Sequence, residues 1–285
     1  MVQIRTVVSP VDFTPLTEEE LGLAVEVCQR FGSRLVLHHN ESAAPPGFSR
    51  AWDWKQNHVP RDGRPAEPEE RLRRLLEDLP EEIAGEASIS RGAVVPALMA
   101  LARELPADLI VVGCHGRTHD DHSSITERLI ERAPCPVLTL HDHEGEDVHH
   151  LFPAGERKEP EVVVATDLSP GSERAASYAF ELARTVPLRL HLLHVLTGRQ
   201  EPSEESVEGL VAHLEETVPD DLEGRVGVHL ATGEAVEGIV STVRKLDADF
   251  LIMGEHVKGL LKSLLHRNTA KEVLHQAPCP VWYVP

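Results

Sequence analysis

The sequence has few cysteines, few basic residues and no long hydrophobic run, and each shortage excludes a class of protein. Its longest apolar stretch, 93–102, falls far short of the roughly 18 residues that a membrane-spanning helix needs. Only 28 basic residues face 47 acidic ones, and the net charge of −19 argues against broad binding to nucleic acid or an anionic membrane. The cysteines form no CxxC pair and are predicted to be reduced thiols, mostly in the core: Cys28, Cys114, Cys135 and Cys279.

The length and the first residues set two further expectations. At roughly 150 residues per domain, a chain of 285 residues predicts two domains, each large enough for a core of its own. The N-terminal residues lack the basic start, apolar block and small-residue cleavage site of a secretory leader. We therefore expect a cytoplasmic protein.

The chain contains an internal repeat. Each copy opens with a short apolar strand that ends in Asp-x-Ser/Thr-Pro, at 7–15 and again at 163–170. Each copy closes with Ala-Pro-Cys-Pro-Val, at 133–137 and 277–281, a match too specific for chance. Between the copies the sequence is charged and broken by Gly and Pro, as in a linker. The repeat divides the chain into a first domain at 1–142, a linker at 143–159 and a second domain at 160–285.

Strand and helix patterns alternate within each copy, with five strands per copy. Such alternation predicts an α/β fold, a doubly wound parallel sheet with helices on both faces. The unbroken apolar runs 109–112 and 250–253 fit strands that are covered on both sides. In such sheets, ligands bind beyond the carboxyl ends of the strands, where the strand order reverses. The residues predicted at these ends are Asp12, Asn40 and Gly113 in the first copy and Asp167, Val195 and Gly254 in the second.

These motifs together resemble the universal stress protein family, in its tandem form with two copies on one chain. The resemblance rests on Asp-x-Ser/Thr-Pro after the first strand, Gly-x-x-Gly after Ala-Asp-Leu-Ile-Val-Val, and Cys-Pro-Val in the last strand. It implies an adenine nucleotide α-hydrolase-like fold for each copy. It also implies that the last strands, which include Trp282 and Tyr283, pair the copies as a pseudo-dimer within one chain. Whether two chains form a homodimer is left open.

The resemblance further implies a site for an adenine nucleotide, ATP or AMP. Nucleotide-binding members of the family hold adenine and ribose with an Asp at the first strand end and backbone at the second. They hold the phosphates with Gly-x-x-Gly, nine further residues and Gly-Ser/Thr. The residues carried over to the first copy are Asp12, Asn40, Gly113, His115, Gly116, Arg117, Ser123 and Ser124. Those carried over to the second copy are Asp167, Val195, Gly254, Arg267 and Asn268.

Both copies depart from the phosphate-binding motif. Its glycines let backbone N–H groups approach a phosphate, and a helix that begins just after them adds its N-terminal amides. In the first copy the spacer has six residues rather than nine, and Ser123 stands where Gly is expected. In the second copy Val257 replaces the second Gly and Glu255 adds a negative charge. We therefore expect at least one of the two pockets to be degenerate.

Two residues in the Asp loops are predicted to act locally rather than on a ligand. Thr14 and Ser169 each lie just before a predicted helix. Hydroxyl residues at such positions commonly accept a hydrogen bond from the first free N–H groups of the helix. We therefore predict that both cap the helix that follows.

Two other functions remain open from the sequence. The loop 114–122 crowds imidazole, thiol and carboxylate groups, which are the ligands that zinc takes, so a Zn or Mg site is one alternative. A scaffold that has lost its nucleotide and works through its surface is the other. No positioned base or nucleophile accompanies the motifs, so we expect a regulatory binding protein, with at most slow ATP hydrolysis, rather than an enzyme. The candidate metal ligands are Cys114, His115, His119 and His122.

Overall fold

The computed structural model describes most of the chain, in eight stretches. We call residues up to 141 the first half and residues from 160 the second half. No helix within the described stretches is long and apolar enough to cross a membrane. The described stretches are 1–14, 16–41, 67–114, 125–141, 150–152, 159–198, 203–254 and 269–285.

Strands and helices alternate in each half, as the repeat predicts. In the first half the elements are β1 (Thr6–Pro10), α1 (Leu16–Phe31), β2 (Arg34–Glu41), α2 (Pro68–Glu77), β3 (Gly85–Arg91), α3 (Val94–Glu104), β4 (Leu109–Cys114), α4 (Ile125–Arg132) and β5 (Val137–His141). In the second half they are β6 (Glu161–Thr166), α5 (Pro170–Thr185), β7 (Arg189–Leu196), α6 (Glu204–Glu216), β8 (Val226–Thr232), α7 (Ala235–Leu246), β9 (Phe250–Gly254), α8 (Thr269–Gln276) and β10 (Val281–Val284). A 3₁₀ turn, Asp220–Leu222, precedes β8.

All ten strands belong to one sheet, in the order β3-β2-β1-β4-β5-β10-β9-β6-β7-β8. Every neighbouring pair is parallel except β5 and β10, which run antiparallel and join the two halves. At this join Leu138 faces Trp282, and the two residues are at equivalent positions of the repeat. The predicted fold, two doubly wound five-stranded sheets paired within one chain through their last strands, is confirmed.

Helices cover both faces of the sheet, so the central strands are buried on both sides. One face carries α1, α2, α5 and α6, and its core includes Leu23, Leu72 and Leu214. The opposite face carries α3, α4, α7 and α8. Every residue of β4 is buried, which accounts for its unbroken apolar sequence. The four cysteines are free and buried, as predicted.

The segment between the halves contains an anchored apolar stretch. Leu151 is fully buried, and the Glu26 carboxylate accepts the N–H groups of Leu151 at 2.8 Å and Phe152 at 3.2 Å. The Phe152 ring lies between Phe31 of the first half and Phe250 of the second, with ring centroids 6.0 and 6.1 Å away. This part of the segment therefore packs against both halves, which its charged surroundings in the sequence did not suggest.

Candidate functional site

The strand order reverses at one place in each half. The chain leaves β1 toward β2 and β3, and then returns to the other side of β1 to form β4 and β5. In sheets of this order, ligands usually bind at the carboxyl edge between the two strands from which the chain departs in opposite directions. We call the place between the carboxyl ends of β1 and β4 the first switch point, and the place between those of β6 and β9 the second. Asp12 and Gly113 flank the first, and Asp167 and Gly254 flank the second.

The Asp loops have the same conformation at both switch points. The residue after each aspartate, Phe13 or Leu168, is left-handed, with φ of 60° and 61°. This turn brings a backbone N–H back to the carboxylate: Asp12 Oδ1 accepts from Thr14 at 2.9 Å, and Asp167 Oδ1 accepts from Ser169 at 3.0 Å. A short carboxylate side chain suits such a turn because it can bond the backbone two residues further on. Each carboxylate is thus held beside its switch point by its own loop.

The two predicted helix caps have different outcomes. Ser169 caps α5, because its Oγ accepts the N–H of Ser172 at 3.3 Å. The prediction for Thr14 is wrong, since its hydroxyl is buried and has no hydrogen-bond partner. Instead, the hydroxyl of Thr17 in the first turn of α1 donates to Asp12 Oδ1 at 3.1 Å. The Asp12 carboxylate is therefore tied to the first turn of α1 through a side-chain hydroxyl.

A histidine at the end of each second strand ties that strand to the Asp loop. The His39 Nδ1–H donates to the Val11 carbonyl at 2.7 Å, and the His194 Nδ1–H donates to the Thr166 carbonyl at 2.8 Å. Neither histidine was predicted from the sequence. The signal for both is that a histidine recurs at the same place in the two copies, one residue before Asn40 and Val195.

The neighbouring positions on β2 and β7 differ in polarity. Asn40 Nδ2 donates to Ser90 Oγ at 2.7 Å, whereas Asn40 Oδ1 is buried without a hydrogen-bond partner. At the equivalent position, Val195 packs against α7 so closely that a Cβ on Gly238 would lie 2.8 Å from Val195 Cγ1. The structure therefore places a polar side chain at the first switch point and an apolar one at the second.

His38 continues the polar contacts of Asn40 and Ser90 into the core of the first half. Its exposure is only 2%, and its two ring nitrogens lie 3.2 Å from Ser88 Oγ and 3.0 Å from Ser90 Oγ. Burial, together with the charge of His39, lowers the pKa of His38 below its ordinary value. Leu193 holds the equivalent position in the second half and is part of the apolar core.

A cation and two rings lie beside Asp12. The guanidinium carbon of Arg71, on α2, lies 3.8 Å from the centre of the Phe13 ring, within the range of a cation–π contact. The Phe13 and His39 ring centroids are 4.7 Å apart. Burial lowers the pKa of Arg71, although the Asp12 charge opposes this shift. The second half has Leu168 in place of Phe13, so it has no matching ring at this position.

The backbone of Gly113 is held on both sides by side chains. The buried carboxylate of Glu20, on α1, accepts the Gly113 N–H, and the Thr126 hydroxyl donates to the Gly113 carbonyl at 2.8 Å. When Asp12 is aligned with Asp167, Glu20 corresponds to Ala175. Glu20 was not predicted from the sequence. The first half therefore has a buried carboxylate at a position where the second half has Ala175.

Position 254 has no room for a side chain, because the backbone of α5 packs against it. A Cβ at Gly254 would lie 2.3 Å from the carbonyl oxygen of Gly171, in the first turn of α5. Real Cβ atoms do not approach backbone so closely, so a side chain here would force α5 away from β9. The end of β9 therefore lies close against the first turn of α5, with no room for a side chain at Gly254.

The remaining predicted ligand residues lie outside the described residues. Of the metal-binding candidates, only Cys114 is described, and it is fully buried. Burial, reinforced by the nearby Glu127 charge, raises the pKa of Cys114 to about 12, whereas metals bind the thiolate. The described part of the chain holds no group of three His, Cys, Asp or Glu residues arranged for a metal ion. The residues outside are His115, Gly116, Arg117, His119, His122, Ser123, Ser124, Arg267 and Asn268.

Comparison with known proteins agrees with this architecture. Residues 3–141 and 160–285 each match the sequence profile of the Universal stress protein family. A universal stress protein of Mycobacterium tuberculosis is 26% identical over 203 residues, which cover 66% of this chain and 64% of that protein. The crystal structure of a universal stress protein from Archaeoglobus fulgidus superimposes with a TM-score of 0.67 at 17% identity, covering 99% of this chain and 96% of that one.

Another similar solved structure is that of a universal stress protein in complex with cAMP, which matches 44% of this chain and 96% of its own, at 19% identity and a TM-score of 0.34. The two profile matches together span nearly the whole chain and coincide with the two half-sheets. The protein therefore belongs to the universal stress protein family, with two such domains in tandem.

Proposed function

We propose that the protein is a cytoplasmic stress-response regulator that binds an adenine nucleotide, ATP or AMP, at one or both switch points. The observation that carries this proposal is the duplicated Asp loop. In both halves an aspartate is held by the same left-handed turn at the switch point. A carboxylate accepts hydrogen bonds only, which suits ribose hydroxyls or the adenine amino group. A duplicated turn of this kind supports a shared role at the nucleoside end of the site.

We further propose that the bound nucleotide acts as a conformational ligand rather than as a substrate. Catalysis needs a base, nucleophile or metal aimed at a reacting atom. Among the described residues of the switch points, the two aspartates are engaged by their own loops, and the histidines donate to backbone carbonyls. These engaged groups support a binding role.

Isothermal titration calorimetry of the full chain with ATP and with AMP tests the proposal. The variants are Asp12→Asn and Asp167→Asn, each the matched control of the other. Asparagine keeps an oxygen that can accept the loop N–H, so the turn is retained while the charge is lost. We expect at least a tenfold loss of affinity from the variant in each half that binds nucleotide, and no change from a variant in a half that does not. Unchanged affinity in both variants would show that the assignment of the aspartates is wrong.

The second candidate function is a scaffold that works without nucleotide. Glu20 favours it, because a buried carboxylate already occupies the Gly113 N–H at the start of the phosphate motif. Native mass spectrometry of the purified chain, before and after addition of ATP, separates the two functions. A polypeptide mass that stays bare in excess ATP would support the scaffold and contradict nucleotide binding.

A further inference from the structure

Four charged or titratable side chains meet between α4 of the first half and α8 of the second. Lys271 Nζ lies 3.0 Å from Glu127 Oε2 and 3.1 Å from Glu131 Oε1. His275 Nε2 lies 3.2 Å from Glu127 Oε1. We call these four residues the charge cluster. The first half contributes both acids, and the second half contributes both nitrogen bases.

The cluster lies on a pseudo-two-fold axis. The β5–β10 pairing places Leu138 opposite Trp282, its own counterpart in the repeat. In a symmetric dimer, equivalent residues meet near the axis. The same alignment makes Glu127 the counterpart of Lys271, and Glu131 the counterpart of His275. Glu127 therefore contacts its own counterpart, Lys271, near the axis, and the contact of Glu131 with Lys271 has its two-fold mate in the contact of His275 with Glu127. In each pair of counterparts, one residue is an acid and the other a nitrogen base.

If two identical halves paired in the same way, the cluster would bring like charges together. Two first halves would bring four carboxylates together, and two second halves would bring two lysines and two histidines together. The side chains of the cluster are partly withdrawn from water, with exposures of 16% for Glu127, 30% for Lys271, 31% for Glu131 and 15% for His275. Like charges repel more strongly there than at an open surface.

The pKa shifts of Glu127 and Lys271 show that each residue favours the charged form of the other. Burial would raise the pKa of Glu127, but hydrogen bonds from Lys271 and His275 outweigh it and lower that pKa. Burial would likewise lower the pKa of Lys271, but the hydrogen bonds that it donates to the two glutamates, together with their charges, raise it. The acid and the base therefore both stay charged while they are in contact.

We propose that the charge cluster selects the pairing partner: it makes a first half accept a second half and reject another first half. The partner surface is thus α8 and β10 of this protein. The backbone pairing of β5 with β10 is symmetric and does not by itself distinguish like from unlike halves, so the discrimination depends on side chains, to which the charge cluster adds the charges. The anchored Leu151 and Phe152 then keep the selected partner on the same chain, because they pack against both halves.

Charge exchange in the full chain tests this proposal. One variant, Glu127→Lys/Glu131→His, gives both halves the basic pattern. A second, Lys271→Glu/His275→Glu, gives both the acidic pattern. A third carries all four changes and restores complementarity with the positions exchanged. The matched control, Glu81→His/Glu104→Lys, makes the same charge change as the first variant at exposed positions.

We expect each double exchange to lower the melting temperature by about 5 °C or more at low salt, and the fourfold exchange to recover most of the loss. The control should shift it by less than about 1 °C. The loss should shrink in 1 M NaCl because salt screens the repulsion. A fourfold exchange no more stable than either double exchange would overturn the proposal.

Mixing separates partner selection from stability alone. When the all-basic and all-acidic variants are refolded together, each basic half finds an acidic one only on the other chain. Sedimentation velocity should then show a complex of twice the chain mass in the mixture and little of it in either variant alone. Equal association in the mixture and in the separate variants would overturn partner selection, even if the melting temperatures changed as expected.

Discussion

The two halves share a backbone frame but line their switch points differently. The left-handed Asp loop and the histidine that ties it to the second strand recur in both halves. Around this frame the first half has Glu20 and Asn40, whereas the second has Ala175 and Val195 at the same places. Duplication has therefore kept the geometry that presents the aspartate and has changed the surroundings that a ligand would meet.

This difference predicts that the two halves differ in their affinity for a nucleotide. A buried carboxylate beside a phosphate raises the electrostatic cost of binding, because both are negative in a region poor in water. The second half has no such carboxylate at this position, but Glu255 follows its last glycine. If nucleotide occupies only one half, Glu20 favours the second.

The largest effect is expected from Ala175→Glu, which gives the second half the residue of the first. Ala175 is fully buried, and α5 already packs against Gly254 with no space to spare. We expect a loss of about 4 kcal/mol in the free energy of unfolding, from a buried charge without a prepared partner. Urea denaturation measures it. Ala100→Glu, on an exposed position of α3, is the control and should change stability by less than about 0.5 kcal/mol.

The reverse exchange, Glu20→Ala, should act on binding. We expect it to raise the affinity of the first half for ATP about tenfold, or 1.4 kcal/mol, because the Gly113 N–H and its surroundings lose a competing anion. Calorimetry in the Asp167→Asn background reports on the first half alone. Glu20→Gln removes the charge but keeps an acceptor for the N–H. It therefore separates two effects of Glu20, the repulsion of the phosphate and the hydrogen bond that keeps the Gly113 N–H from the phosphate. No gain in either variant would mean that Glu20 does not control this site.

The smallest effect concerns pH and compares His38 with its counterpart Leu193. The folded pKa of His38 is lowered, so the unfolded chain binds the proton more readily. Its contribution to stability is therefore complete above the unfolded pKa of about 6.5 and is lost as pH falls below it, by at most about 1.4 kcal/mol per pH unit. His38→Leu should flatten the decline between pH 7 and 5 in urea denaturation. An unchanged slope would contradict the assignment.

His229 supplies the internal control for that experiment. Its pKa is also lowered, by burial first and then by the charges of His191 and Lys245, so it gives the same sign of pH dependence in the second half. His191 Nδ1 lies 2.8 Å from His229 Nε2. Part of the decline should therefore remain after His38→Leu.

The fold was accessible from the sequence because strand spacing and repeated motifs are local signals. The Asp loops were accessible for the same reason, since Asp-x-Ser/Thr-Pro directly follows a strand in each copy. Glu20 was not, because it closes an acidic run that resembles a solvated helix face. Its spacing from Leu23 and Val27 places it on the buried stripe of α1, and that stripe was the overlooked signal.

Contacts between distant segments were harder to predict. Arg71 reaches Phe13 from α2, across 58 positions of sequence, and no local pattern links the two residues. The anchoring of Leu151 and Phe152 likewise depends on Glu26, which lies more than a hundred residues earlier. Such pairs are decided by how the helices pack on the sheet, which composition and periodicity do not specify.

The antiparallel join also affects how the protein is made. β10 is the last strand of the sheet to be synthesised, so β5 keeps an unpaired edge throughout synthesis of the second half. An apolar strand with free backbone groups is a template for aggregation. We therefore expect a chain truncated before β10 to expose the backbone groups of β5 along one edge, and to aggregate more readily than the full chain.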